Sequence, residues 1–121
     1  MAAIEVRAVV LDSLDEPVRW VRLDEVAVLE AIDAERELFV AVGDFSAVVD
    51  IARRSGRRLH GVEPVLAQDR VELHPTLAIE TFPGDESCWS AAETLVGTWP
   101  RDPDLAVSAS FEIAEDVRAR S

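Results

Sequence analysis

The sequence contains no lysine, no asparagine and no tyrosine, and it has a single cysteine. All twelve basic residues are therefore arginines, and they stand against 24 carboxylates, which gives a formal net charge of −12 at pH 7. The three missing residue types have AT-rich codons, so their absence indicates a GC-rich genome, although a salt-adapted source would also favour the acid excess. One cysteine cannot form an internal disulfide, which is typical of a reducing compartment.

Long apolar runs are also absent. No stretch free of Asp, Glu and Arg exceeds seven residues, whereas crossing a bilayer takes about 20. The N-terminus lacks the basic start and apolar run of a secretion signal. Glycine-rich phosphate motifs, Cys/His spacings for zinc and the Gly-x-Ser-x-Gly elbow do not occur either. Because a chain of this charge repels phosphate, we expect no direct nucleic-acid binding. The single cysteine and the missing apolar run and secretion signal predict a cytoplasmic protein without membrane contact. Since the motifs above are absent, we expect no bound metal or cofactor.

What the sequence does have is a core: 49% of its 121 residues are hydrophobic, enough for a single domain over 1–121. The apolar periods predict, in chain order, strands over 4–11 and 17–22, a helix over 23–34, a strand over 38–42, a helix between Asp44 and Gly56, extended chain over 59–66, a strand over 71–81, a helix starting at Asp85 or Ser90 and ending before Pro100, and a strand over 105–113.

This order, ββαβαββαβ, predicts an α+β fold with a mixed, largely antiparallel sheet and helices packed mainly on one face. The strands at 71–81 and 105–113 both alternate apolar and polar residues. We expect them to form an antiparallel pair with one face turned to water.

The acid excess favours a non-enzymatic module that binds a basic protein, most specifically an inhibitor or immunity-type protein that neutralises a partner such as a nuclease toxin. Carboxylates can occupy the sites where such a partner holds phosphate. The expected partner-binding surface consists of the acidic turn over 12–16, the predicted helix at 23–34 and a nearby tryptophan. Its residues are Asp12, Asp15, Glu16, Trp20, Asp24, Glu25 and Asp33.

Two alternatives use the polar face of the two half-polar strands. In one, a small enzyme or a ligand- or metal-binding domain uses Glu72, His74 and Glu80, facing Ser108, Ser110 and Glu112. A carboxylate and an imidazole two positions apart on a strand can share a ligand or act as an acid–base pair. In the other, a homodimeric accessory domain buries the same face against its twin.

The arginines are concentrated in one segment. Residues 51–70 carry five arginines against two carboxylates, whereas 1–50 carry four against twelve and 71–121 carry three against ten. Arg53, Arg54, Arg57 and Arg58 form a candidate anion site, since guanidinium groups bind carboxylate and phosphate well. Two other interpretations remain open: cations accumulate at helix C-termini, or the cluster holds the two acidic flanks together. Cys88, the single cysteine, fits either a core position or a nucleophile near a helix N-terminus.

Overall fold

A computed structural model describes residues 4–13, 15–83 and 85–113. In these residues three helices lie against one seven-stranded sheet whose strand pairings are all antiparallel. The elements are β1 (Glu5–Leu11), β2 (Val21–Asp24), α1 (Glu25–Asp33), β3 (Glu37–Ala41), a short 3₁₀ turn (Val42–Asp44), α2 (Phe45–Arg54), β4 (Arg57–Ala67), β5 (Val71–Leu73), β6 (Glu80–Thr81), α3 (Ser87–Gly97) and β7 (Leu105–Ile113). The α+β class predicted from the apolar periods is therefore confirmed, and the order of elements roughly matches the predicted one.

The strands are ordered β2-β1-β3-β7-β4-β5, and β6 also pairs with β4. The pairing of β4 with β7 is the longest: it runs from Leu66 opposite Leu105 to Arg57 opposite Ile113, with one irregularity between Leu59 and Gly61. The last described strand, β7, thus lies in the middle of the sheet, between β3 and β4.

The three helices cover one face of the sheet. Side chains of α1, α2 and α3 are buried there against the strands, and among them are Val28, Val48, Val49, Ala92 and Val96 from the helices and Val6, Val40, Leu59, Val62 and Val107 from the strands. Burial of this apolar surface is the main favourable contribution to folding. In the described ranges no helix is both long and apolar enough to span a membrane.

Within the described residues, the opposite face is covered only at one end. Val9, Phe39, Val65 and Ala106 are buried there, and the β1–β2 connection lays Val18 and Trp20 across them. This explains why the central strands are apolar on both sides. Beyond that connection the same face continues into polar positions at the far ends of β4 and β7.

One detail of the predicted fold is wrong. The strand expected over 71–81 is two short strands separated by a turn, and β4 lies between them and β7, so the expected pairing with 105–113 does not form. Of the two starts expected for the third helix, the structure agrees with the earlier one: the helix begins at Ser87, and the Asp85 side chain accepts a hydrogen bond from the Ser87 amide (3.0 Å).

Candidate functional site

The acidic turn after β1 uses its carboxylates internally. Glu16 Oε1 accepts hydrogen bonds from the backbone amides of Asp12 (2.7 Å) and Ser13 (2.8 Å), and the Asp12 carboxylate pairs with Arg36 (2.9 Å). The side chain of Asp15 makes no hydrogen bond or ion pair with another described residue. These contacts define the turn, which leaves Asp15 as its most available carboxylate.

The predicted partner-binding residues around α1 are engaged as well. Asp24 caps the helix by accepting a hydrogen bond from the Ala27 amide (2.8 Å). Glu25 pairs with Arg54 (3.0 Å), and Asp33 pairs with Arg57 (2.5 Å). Trp20 is half-buried under the guanidinium of Arg7, whose Cζ lies 3.9 Å from the ring centroid. Six of the seven residues of the expected surface therefore have intramolecular roles.

The arginine cluster is largely neutralised by the acidic flanks. Arg53 pairs with Glu86, just before α3, and Arg54 pairs with Asp50 within α2 (3.0 Å) as well as with Glu25 of α1. The hydrogen bond that Arg54 donates to the Asp50 carboxylate is the main cause that raises the pKa of Arg54. Arg57 binds Asp33 with two nitrogens, at 3.1 and 2.5 Å. The geometry thus accords with the interpretation that the cluster holds the flanks together.

Arg58 differs from its neighbours in the cluster. It is exposed on β4 opposite Glu112 in the strand register, and it makes no ion pair within the residues described. One unpaired guanidinium remains of the four that formed the candidate anion site.

Glu72, His74 and Glu80 are not brought together. Glu72 lies opposite Leu66 on β4 and Glu80 opposite Val62, positions separated by about 13 Å along a strand. His74 lies in the turn between β5 and β6, where its Nδ1 accepts hydrogen bonds from the amides of Thr76 (3.2 Å) and Leu77 (3.1 Å). Nowhere in the described part of the chain do three or more His, Cys, Asp or Glu side chains form a group that could hold a metal ion.

Cys88 occupies a core position. Its side chain is buried, and its thiol lies 3.4 Å from the Asp85 carboxylate. The same carboxylate oxygen accepts the hydroxyl of Ser87 at 2.5 Å. These hydrogen bonds lower the pKa of Asp85, with the Ser87 hydroxyl as the largest cause. Burial of the thiol favours a packing role at the start of α3.

A different set of polar residues does meet on the face opposite the helices. Glu63 lies opposite Ser108 and Gly61 opposite Ser110, while Nε2 of His60 lies 2.9 Å from the Glu112 carboxylate. We call the part of the sheet that carries Glu63, Ser108, Ser110 and Glu112 the polar face. A cavity of about 150 Å³ forms there under residues 79–81 of the β6 segment.

A second cavity adjoins the first. It has a volume of about 210 Å³ and opens where β3 and β7 diverge, between Glu35–Leu38 and residues 108–111. Ser108 and Ser110 line both cavities. Four carboxylates around them form no ion pair or side-chain hydrogen bond with another described residue: Glu35, Glu37, Glu63 and Glu80.

Sequence reasoning identified one half of this surface. The alternation over 105–113 placed Ser108, Ser110 and Glu112 on one side of a strand, as the structure has them. It missed Glu63 and His60, which face them from β4, because the pairing of β4 with β7 depends on a register with an irregularity at His60. Glu35 and Glu37 carry no local signal beyond their charge.

Comparison with known proteins identifies no relative: no protein-family model matches the sequence, and neither the curated proteins nor the solved structures include a significant match.

Proposed function

We propose that this protein is a non-enzymatic, cytoplasmic module that binds a basic protein, most specifically an inhibitor or immunity-type protein that neutralises a partner such as a nuclease toxin. One observation carries the proposal. The four carboxylates that surround the two adjoining cavities, Glu35, Glu37, Glu63 and Glu80, have no intramolecular ion pair among the described residues. Most carboxylates of the acidic turn and of α1, in contrast, are engaged in ion pairs or in hydrogen bonds from backbone amides. The polar face, together with the carboxylates around its cavities, is therefore the better-supported acidic surface for a partner.

Exposed apolar side chains beside these carboxylates support a protein partner. Leu73 is 56% exposed and Ile79 is 54% exposed, and Ile79 lines the smaller cavity together with Glu80. Leu73 follows on β5, opposite Val65 of the neighbouring strand. Protein interfaces combine an apolar centre with a polar rim, and large exposed side chains serve as anchors.

The net charge adds a kinetic advantage. A chain of −12 attracts a basic protein over distances longer than a contact, which raises the association rate. Carboxylates on a groove can also take the positions that a nuclease reserves for the phosphates of its substrate. Both effects require acids that are not already neutralised, and the four carboxylates around the cavities form no ion pair with another described residue.

The test is capture of a partner from a lysate of the native host at low salt, with neighbouring gene products present. Three forms of the full chain serve as bait: the native protein, the double variant Glu37→Gln/Glu63→Gln, and the control Glu30→Gln/Asp69→Gln. The two variants lose the same charge, but Glu30 and Asp69 are exposed residues that line neither cavity. We expect the native and control baits to recover the same basic protein and the polar-face variant to lose it. Recovery of no basic protein, or equal recovery by all three baits, contradicts the proposal.

The cavity beside His60 and Glu112 favours a second candidate, a small-ligand domain. At about 150 Å³ the cavity is smaller than the ~300 Å³ at which ligand sites of enzymes usually begin.

The homodimer alternative would bring two copies of the same acidic face together, which like-charge repulsion opposes. Light scattering at several concentrations separates a monomer from a dimer.

A further inference from the structure

The sheet divides at β7. This strand pairs with β4 along its whole length, from Leu105 to Ile113, but it pairs with β3 only from Ala106 to Ser108. The side of residues 109–113 that is turned toward β3, here called the β7 edge, therefore has no strand partner within the described chain. An unpaired edge presents backbone N–H and C=O groups that can bond to an added strand.

The division has a local cause in the chain before β3. Glu35 adopts a left-handed conformation (φ 55°), and the Arg36 amide bonds back to the carbonyl of Ala31 (3.1 Å). The chain thus turns tightly out of α1 and enters β3 only at Glu37. In the observed register Leu38 and Glu37 would face Ala109 and Ser110, but the pairing with β7 ends at Phe39, and no residue of β3 is left to face 111–113. The larger cavity occupies the gap.

The two sides of this gap differ in chemistry. Ile32 and Phe111 are partly buried against the helix-side core, so one side is apolar. Ser108 and Ser110 line the other side, and Glu37 shares it because strand residues alternate between faces. Among the described residues of the lining Arg36 is the only basic one, and Asp12 neutralises it. A strand seated here would bury every second side chain and present the others to carboxylates.

We propose that the β7 edge accepts an extended segment of the basic partner as an additional strand, in which arginine or lysine alternates with apolar residues. The inference rests on the proposed function and adds the mode of binding. Main-chain hydrogen bonds to residues 109–113, about 17 Å of strand, would supply affinity, and the alternating sides of the gap would supply specificity. A second copy of this chain is a poor occupant, because two β7 edges would bring Glu35, Glu37 and their counterparts together.

The experiment follows amide hydrogen exchange by NMR in the full chain, free and with a probe. The probe is a capped seven-residue peptide of alternating arginine and valine. The control probe has the same side chains but N-methyl groups on alternate amides, so it keeps the charge and loses half of its backbone donors. We expect the edge-facing amides of 109–113 to exchange quickly in the free protein and to become protected with the probe. The N-methylated peptide should bind about tenfold more weakly.

Charge variants complete the test. Glu35→Gln and Glu37→Gln should each lower the affinity for the probe about two- to fivefold. Glu30→Gln, on the exposed side of α1, should leave the affinity for the probe unchanged. If the edge amides are already protected in the free protein, the chain's own residues occupy the edge. If that protection depends on protein concentration, a second copy of the chain occupies it. Either result overturns the proposal, as does equal binding of the two peptides. If the probe does not bind the β7 edge but a basic partner is still captured, strand addition alone is overturned and the proposed function is kept.

Discussion

Gly61 of β4 lies so close to β6 that there is no room for a side chain at this position. A Cβ there would lie 2.8 Å from the carbonyl oxygen of Glu80, a backbone atom that cannot move without shifting β6. We expect Gly61→Ala to lower the free energy of unfolding by about 1–3 kcal/mol, the usual cost of overpacking. Urea denaturation measures it. Gly97→Ala is the control, because no heavy atom lies within 4 Å of its added Cβ and alanine suits a helix better than glycine. Equal stability of the two variants would contradict the expected clash.

Asp85 should make the free energy of unfolding depend on pH in the acidic range. Its folded-state pKa lies below the ordinary value of 3.8, chiefly because of the hydrogen bond from the Ser87 hydroxyl. The ionised carboxylate therefore stabilises the folded state above that value, and the stabilisation is lost as the pH falls through the lowered pKa. Asp85→Asn should reduce the free energy of unfolding at pH 7, and its difference from the native protein should shrink below about pH 4. Denaturation at several pH values measures this.

The control for that series is Asp69→Asn, because the Asp69 side chain forms no hydrogen bond with another described residue. It should change the stability little at any pH. A difference between native protein and Asp85→Asn that stays constant from pH 7 to pH 3 would contradict the role assigned to the Ser87 hydrogen bond.

His74 shows what the sequence could not reveal at the scale of a residue. Its position two residues after Glu72 suggested a ligand pair on a strand, but the strand ends at Leu73. The imidazole instead accepts the amides of Thr76 and Leu77, which replaces the strand with a turn across Pro75. Such a local competition between a side-chain acceptor and strand pairing leaves no mark in an alternating pattern.

At the scale of elements, Arg57 joins the start of β4 to the end of α1. Its side chain is only 13% exposed, and it holds Asp33 with two nitrogens and the Ser55 carbonyl with a third. We expect Arg57→Met to lower the free energy of unfolding by about 1–3 kcal/mol, because charged hydrogen bonds shielded from water are lost. Arg22→Met should cost no more than about 0.5 kcal/mol, since Arg22 is 82% exposed and 3.9 Å from Glu5. Urea denaturation compares them, and similar losses would refute the assigned link.

Elements with a clear apolar period were predicted close to their observed bounds. The unit β3–α2 was expected close to its observed bounds, because a strand apolar on both faces precedes a helix with residues at i, i+3, i+4 and i+7 buried. The chain over 59–66 was expected to be extended, and β4 runs through it with one irregularity between Leu59 and Gly61. It tolerates Gly61 because β6 approaches there, a long-range contact that the local sequence does not encode.

In the whole molecule, the distribution of charge matters more than its sum. The acid excess was evident from composition, but which acids remain available depended on tertiary pairing. Arg36, Arg54 and Arg57 neutralise carboxylates of the acidic turn and of α1 that lie 24 or more positions away in sequence. Such distances cannot be read from local spacing. The polar face was therefore half visible in the alternation of β7 and otherwise hidden in the sheet register.

The last prediction separates long-range steering from contact once a basic partner has been captured. The Debye length falls from about 30 Å at 0.01 M salt to about 8 Å at 0.15 M, so the association rate should fall steeply over this range and the dissociation rate much less. Glu63→Arg and Asp15→Arg change the net charge equally, so both should slow association to a similar degree. Only Glu63→Arg should also speed dissociation, because Glu63 lines a cavity of the polar face whereas Asp15 lies in the turn after β1.

Stopped-flow or surface-based kinetics at several salt concentrations measures both rates. Glu16 is unsuitable for such a reversal, because its carboxylate holds the amides of Asp12 and Ser13 and an arginine there would disturb the turn itself. An association rate that is insensitive to salt would mean that the acid excess serves only to keep the protein dispersed in water. Faster dissociation for Asp15→Arg than for Glu63→Arg would place the contact on the acidic turn, where the residue pattern alone had put it, and would remove the polar face from the mechanism.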